Sequence, residues 1–226
     1  MATIDPNQDY DIIHTLTFAE ASGTCPIRLH RGFSFTISGT VYYRAGTSGD
    51  WTTLSVSGTS TTFPVTDTTM QVAHGWNKSG NNYMTPSFRG ATNITSIAIS
   101  QKSSLTGTMG NYFMSSYAEG CSNLTSLDAP DTSSLTSVGN YFMSSYARGC
   151  SSLTSLAVPD TSGLESVGTN FMYYYAYNCS SLIELVLPAV GWFEDNNVDW
   201  RVPSGRLGVL KGRVLHSDDL NSWKAL

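Results

Sequence analysis

Residues 110–188 repeat one sentence three times, and that fixed interval restricts the fold more than any other feature of the chain. Gly110-Asn-Tyr-Phe-Met-Ser-Ser-Tyr-Ala-Glu-Gly-Cys-Ser-Asn-Leu-Thr-Ser-Leu-Asp-Ala-Pro130 returns nearly unchanged at Gly139–Pro159 and more loosely at Gly168–Pro188. Cys121, Cys150 and Cys179 are evenly spaced, and Phe113, Phe142 and Phe171 keep the same interval, as do Leu127, Leu156 and Leu185. A degenerate copy precedes them: Tyr83, Met84, Gly90, Ala91, Ile94 and Ile97 lie one such interval, plus a single extra residue, before Phe113, Met114, Gly120, Cys121, Leu124 and Leu127. A constant period of this size marks stacked units, each burying its apolar side only against its neighbours.

Within each unit, Leu124 to Pro130 reads as the strand, with Leu124, Leu127 and Ala129 inward and Ser126 and Asp128 outward at period two. Pro130, Pro159 and Pro188 end those strands, because Pro cannot donate to a continuing ladder. Asp131 to Val138 reads as a descending loop anchored by Leu135 and Val138. Asn111 to Ala118 reads as a short helix or 3₁₀ turn, with Phe113, Met114 and Tyr117 at helical spacing and Gly120 as its stop.

Residues 10–80 hold short β-branched and aromatic runs: Ile12–Phe18, Pro26–His30, Gly32–Ile37, Thr40–Arg44, Trp51–Val56, Thr61–Val65 and Thr69–Ala73. Gly/Ser/Asp clusters separate them, the pattern of a small sandwich or barrel. Ala45–Asp50 should close a hairpin. After Pro188 the pattern dissolves into a Trp-rich tail, where Val209-Leu210 and Val214-Leu215 look like short strands and Ser217 like an N-cap. The expected class is mainly β with short helical segments. Residues 1–80 form an N-terminal β-sandwich or barrel-like domain, 81–190 a leucine-rich-repeat solenoid of about 29-residue units, and 191–226 a C-terminal cap.

Charged residues make up 13% of the chain and the net charge is −5, so Ser, Thr, Gly, Asn and Tyr carry the surface. Nucleic-acid binding calls for a basic face. Between Gly110 and Val190 there are six acidic residues and one basic residue, Arg148. No 18-residue apolar run is present, so no membrane insertion is expected. The first residues lack the basic and apolar regions of a signal peptide, which fits either a component made without export or one whose leader has been removed.

The unit Gly149–Pro159, followed by Ser-x-Leu-x-Ser-Val-Gly, resembles the BspA-like leucine-rich repeats of bacterial surface proteins over residues of about 82–190. The resemblance implies a curved solenoid with a parallel sheet on its concave side, and adhesion to host, matrix or cell-wall partners. The common unit of that family is shorter, and the extra residues here fall in the helical segment. Residues 1–80 carry no such resemblance.

Stacking would bring the three repeat cysteines within disulfide distance, but three in one ladder leave one over, and buried free thiols are the expected state. Glu194, Asp195, Asn197 and Asp199 lack the hinge glycine and distal Glu of an EF-hand and read as a solvated loop. His14, His30, His74 and His216 belong to no nucleophile, zinc or phosphate motif, so no enzyme activity, catalytic residue, metal or cofactor is expected. The sequons at Asn93, Asn123 and Asn178 read as parts of the packed repeat.

Tyrosine is the most suggestive surface feature, since it supplies large amphipathic area at low entropy cost. Tyr117, Tyr146 and Tyr175 read as core. Tyr173, Tyr174, Tyr177, Tyr112 and Tyr141 are the candidate binding residues. The outward strand positions Ser96, Ala98, Ser126, Asp128, Ser155, Ala157, Glu184 and Val186 include no aromatic, whereas energetic anchors are usually Trp, Tyr or Arg. The expected function is that of an adhesion or receptor-binding protein of a bacterial surface or phage tail. Its partner would be a surface protein or a carbohydrate, its place the virion or the extracellular surface, and its oligomeric state is left open. The alternative is a structural or assembly module without a ligand of its own.

Overall fold

The computed structural model describes residues 12–30, 39–58, 61–74, 85–101, 105–157, 159–161, 163–182, 184–186, 208–210 and 213–215. In chain order the strands are β1 (Ile12–Phe18), β2 (Thr24–Pro26), β3 (Arg28–His30), β4 (Gly39–Ala45), β5 (Thr52–Val56), β6 (Thr62–Pro64), β7 (Thr69–His74), β8 (Thr85–Ser87) and β9 (Ile94–Gln101). The repeats add β10 (Gly107–Met109), β11 (Ser126–Leu127), β12 (Leu135–Val138), β13 (Ser155–Ala157), β14 (Ser166–Val167) and β15 (Glu184–Val186). The tail adds β16 (Gly208–Leu210) and β17 (Arg213–Leu215). The Gly32–Ile37 run, the Trp-rich stretch with its acidic cluster, and Ser217 lie outside the described residues.

Six strands form one sheet in the order β11-β9-β1-β7-β4-β5. β1 is its pivot, antiparallel to both β7 and β9, and alternates buried and half-buried residues along its whole length. That alternation places Ile12, His14, Leu16 and Phe18 on the core face. The expected hairpin forms between β4 and β5, with Val41 opposite Leu54. Arg44 locks its loop: the guanidinium donates to the carbonyls of Thr47 and Gly49, and to Gln71 Oε1 at 2.7 and 2.9 Å. It also lies 4.3 Å from the Trp51 ring centre.

The sheet does not stop where the repeats begin. β9 pairs with β1 on one side and runs parallel to β11 on the other, with Ser96 opposite Ser126. One continuous core runs from Leu16 to Leu182. Further along, β13 and β15 pair in parallel with Ser155 opposite Glu184, β16 continues in parallel and β17 turns back. The stretch read as a descending loop is in fact a second parallel ladder, β10-β12-β14, with Ser137 opposite Ser166 and their hydroxyls 2.8 Å apart.

No helix occurs among the described residues, which corrects the helical reading of residues 111–118. Left-handed φ values alternate with ordinary ones there: Tyr112 61°, Met114 48° and Ser116 54°, repeated at Tyr141, Met143 and Ser145. Alternate amides of this ribbon bond to the adjacent repeat, while others, such as Ser115 N to the Tyr112 carbonyl at 3.1 Å and Ser144 N to the Tyr141 carbonyl at 3.2 Å, close turns within it. Tyr112, Ser116, Ala118 and Gly120 donate to the carbonyls of Asn140, Ser144, Tyr146 and Arg148 at 2.7–2.8 Å. Tyr141, Ser145, Ala147 and Gly149 donate likewise to Thr169, Tyr173, Tyr175 and Tyr177. A helix buries one stripe, yet every residue from Tyr112 to Ala118 is buried. Helical spacing of Phe113, Met114 and Tyr117 was therefore coincidental.

The thiols follow the same logic. Cys121, Cys150 and Cys179 are free and buried, and their Sγ atoms donate to the carbonyls of Phe88, Ala118 and Ala147 at 3.3, 3.1 and 3.0 Å. Burial pushes the Cys121 and Cys179 thiols up to about 12, and that of Cys150 higher still. Alkylating reagents should leave all three untouched in the native protein, and non-reducing mass spectrometry should find no disulfide. Cys150→Ser should destabilise by about 1–3 kcal/mol, because a more strongly solvated hydroxyl replaces a well-packed thiol.

Gly139 and Gly168 are fixed by close approach. A Cβ at Gly139 would sit 2.4 Å from Asn111 Oδ1 and 2.7 Å from Asn111 N, and one at Gly168 would sit 2.4 Å from Asn140 N. The crowding comes from an asparagine ladder in which Asn111 Oδ1 accepts from Asn140 N and Asn140 Oδ1 from Thr169 N, each at 2.8 Å. Gly139→Ala should cost roughly 1–3 kcal/mol through overpacking against backbone. An unchanged urea midpoint would contradict that approach.

Candidate recognition surface

Register at one residue per repeat turns each aromatic position into a column. Phe113, Phe142 and Phe171 stack at 5.3 and 5.6 Å between ring centres, and Tyr117, Tyr146 and Tyr175 at 5.1 and 5.2 Å. All six are buried, so the three tyrosines are core, as their spacing suggested. The hydroxyls stay satisfied: Tyr146 Oη donates to the Asp128 carbonyl, and Tyr117 Oη lies 2.7 Å from His14 Nδ1.

His14 thus joins the first sheet to the first tyrosine column. Its ring stacks on His74 at 5.5 Å and meets the edge of Phe88 at 5.8 Å. Burial, and then the neighbouring His74 charge, hold His14 well below the usual histidine range. The unfolded chain therefore takes up a proton first as pH falls through about 6.5. The stability of the neutral, buried form is complete above that value and drains away as pH drops from there toward the lower folded-state value, by up to about 1.4 kcal/mol per unit. Thermal melts from pH 8 to 5 should show this slope, and His14→Gln should flatten it. An equally steep slope in the variant would mean that another group carries it.

The five candidate tyrosines separate into two sets. Tyr112 and Tyr141 stack nearly parallel at 4.7 Å, with Tyr112 only 7% exposed and Tyr141 half-buried. Burial, and then Tyr141, raise the Tyr112 hydroxyl above its usual range. Tyr173, Tyr174 and Tyr177 form the second set, all half-buried, with ring centres 4.0 Å apart for Tyr173–Tyr174 and 4.8 Å for Tyr174–Tyr177. Tyr173 and Tyr174 replace Ser144 and Ser145 of the preceding repeat, both of which are buried. Ser115 and Ser144 there donate to the next repeat's carbonyls, a packing role that the tyrosines cannot copy.

Sequence reasoning missed the charged residues beside this cluster. Arg148 lies 5.4 Å from the Tyr174 ring centre and 5.8 Å from that of Tyr177. It also pairs with Glu119, which pairs with Arg89. Aligning the repeats by position, rather than scanning for motifs, would have placed these residues together.

Of the outward strand positions, Ser126, Asp128 and Ser155 are exposed, and Ser96 and Ala98 are half-buried beside β1. Asp128 Oδ2 accepts from Ile99 N at 3.2 Å. Among the described residues no group of three His, Cys, Asp or Glu side chains could hold a metal ion, and no helix is long and apolar enough to cross a membrane. No known family, curated protein or solved structure matches this chain.

Proposed function

We propose that this chain is an attachment protein that binds a surface protein or carbohydrate receptor, on a bacterial surface or in a phage tail. Its repeats would act as a short solenoid of the BspA-like kind, and residues 1–80 as a sandwich-like domain that carries it. The observation that supports this is the departure of the third repeat from the other two. Serines that serve packing become Tyr173 and Tyr174, and together with Tyr177 they gather three half-buried rings within 4.0–4.8 Å of one another. Aromatic side chains clustered beside an arginine are the residue types that anchor interfaces.

The alternative, a structural or assembly module, draws support from the first two repeats, where packing and backbone pairing account for nearly every repeated residue. Two variants distinguish the readings in binding assays on bacterial cells and glycan arrays. Tyr173→Ser, Tyr174→Ser and Tyr177→Ser together should reduce binding at least about tenfold, as expected for loss of interface anchors. Ser126→Lys, Ser155→Lys and Glu184→Lys together should leave it intact. Loss in the lysine variant with retention in the tyrosine variant would move the site to the strand face. Absence of any binding by the unaltered protein would favour the assembly role.

A further inference from the structure

Arg89, Glu119, Arg148 and Tyr177 occupy one position in four successive repeats. Neighbours in such a column sit about one strand spacing apart and interact pairwise, as cross-strand residues do. Charge alternates along it. Glu119 Oε1 lies 3.3 Å from Arg89 Nη2 and 3.4 Å from Arg148 Nη1, so one carboxylate serves two guanidiniums and the column keeps one positive charge in excess.

Arg148 is the last cation of the column among the described residues. Where alternation calls for the next carboxylate, the chain provides Tyr177, and the guanidinium faces the rings of Tyr174 and Tyr177 instead. The Arg148 side chain is 43% exposed. Glu119 is the only acceptor it meets among the described residues, which leaves most of its N–H fork unused.

The backbone adds a second donor at the same end. Gly120 and Gly149 each donate their amide to the next repeat, at 2.7 and 2.8 Å. Asn178 follows Tyr177 in the equivalent place, with the same left-handed backbone at φ 60°. It is exposed, and its amide meets no acceptor among the described residues. Amides presented by backbone of alternating hand form anion-binding concavities.

We propose that this corner of the third repeat binds the carboxylate of an acidic sugar, a uronate or sialic acid. Arg148 and the Asn178 amide hold the carboxylate, completing the alternation that the column leaves unfinished. The rings of Tyr174 and Tyr177 pack against the C–H face of the sugar. This assignment rests on the receptor-binding reading above and gives that site its ligand class.

Calorimetry on the full chain tests it with matched probes: trigalacturonate against its methyl ester, sialyllactose against lactose, and hexaglutamate as a non-sugar polycarboxylate. One acidic sugar should bind at least about tenfold more tightly than its neutral partner, the worth of one charge-assisted contact. Arg148→Gln should erase that preference while the melting curve stays two-state, because the Arg89–Glu119 pair remains. Tyr174→Ser should weaken the acidic sugar without removing the preference. Equal affinity for acidic and neutral probes, indifference to Arg148→Gln, or equally tight hexaglutamate binding would each overturn the proposal. If cells are nevertheless captured through the tyrosines, only the ligand class fails. If the triple tyrosine variant still captures cells, the site lies elsewhere on the chain and this assignment fails; if the unaltered protein captures none, the receptor reading fails with it.

Discussion

A single step length governs the repeats: whatever lies on either side of each unit must advance by one strand spacing. Parallel strands impose about 4.8 Å on one side. An α-helix is roughly 10 Å across and packs at 8–10 Å, so a helix in each repeat would force the other side apart. This chain instead uses a ribbon of alternating hand, whose stacked rings lie 4.7–5.6 Å apart and match the strand step. Each left-handed residue costs about 1–2 kcal/mol. The ribbon persists because alternate amides bond to the adjacent repeat and the rings of Phe113, Tyr117, Phe142 and Tyr146 leave water entirely, and a lone copy would have neither gain. Repetition is therefore a condition of the conformation.

The same rule assigns the small polar residues their places. Asparagine caps the next repeat's amide, the thiol reaches the preceding repeat's carbonyl, and Thr132 Oγ1 donates to the Asp160 carbonyl at 2.5 Å. The first and last repeats differ in kind. At the first, β1 extends the strand ladder, Thr85 Oγ1 accepts from Met114 N, and Ser87 Oγ donates to the Ser116 carbonyl. At the last, tyrosines stand where packing serines stood. Asn178 replaces glycine there at a left-handed position, a substitution that asparagine tolerates better than most residues.

Much of this was legible in the sequence. The period, the inward leucines, the buried thiols, the core tyrosines and the β4–β5 hairpin all follow from spacing and side-chain chemistry. The ribbon did not, because Asn111 to Ala118 carries apolar residues at intervals that also suit a helix, and nothing local reveals that its amides bond to the following repeat. The β10-β12-β14 ladder was hidden for a similar reason: Leu135 and Val138 are too few to look like a strand until a second copy lies beside them. At the candidate surface the tyrosines stood out by composition. Arg89, Glu119 and Arg148 did not, since their meaning lies in a shared repeat position.

Amide hydrogen exchange, followed residue by residue, tests the account most directly. If the ribbon is held between repeats, the amides of Ser116, Ala118, Gly120, Ser145, Ala147 and Gly149 should exchange as slowly as that of Val72 in the central sheet, opening only with global unfolding. Fast exchange at those six, with protection confined to the strands, would contradict the claim that backbone pairing between repeats holds the stack together.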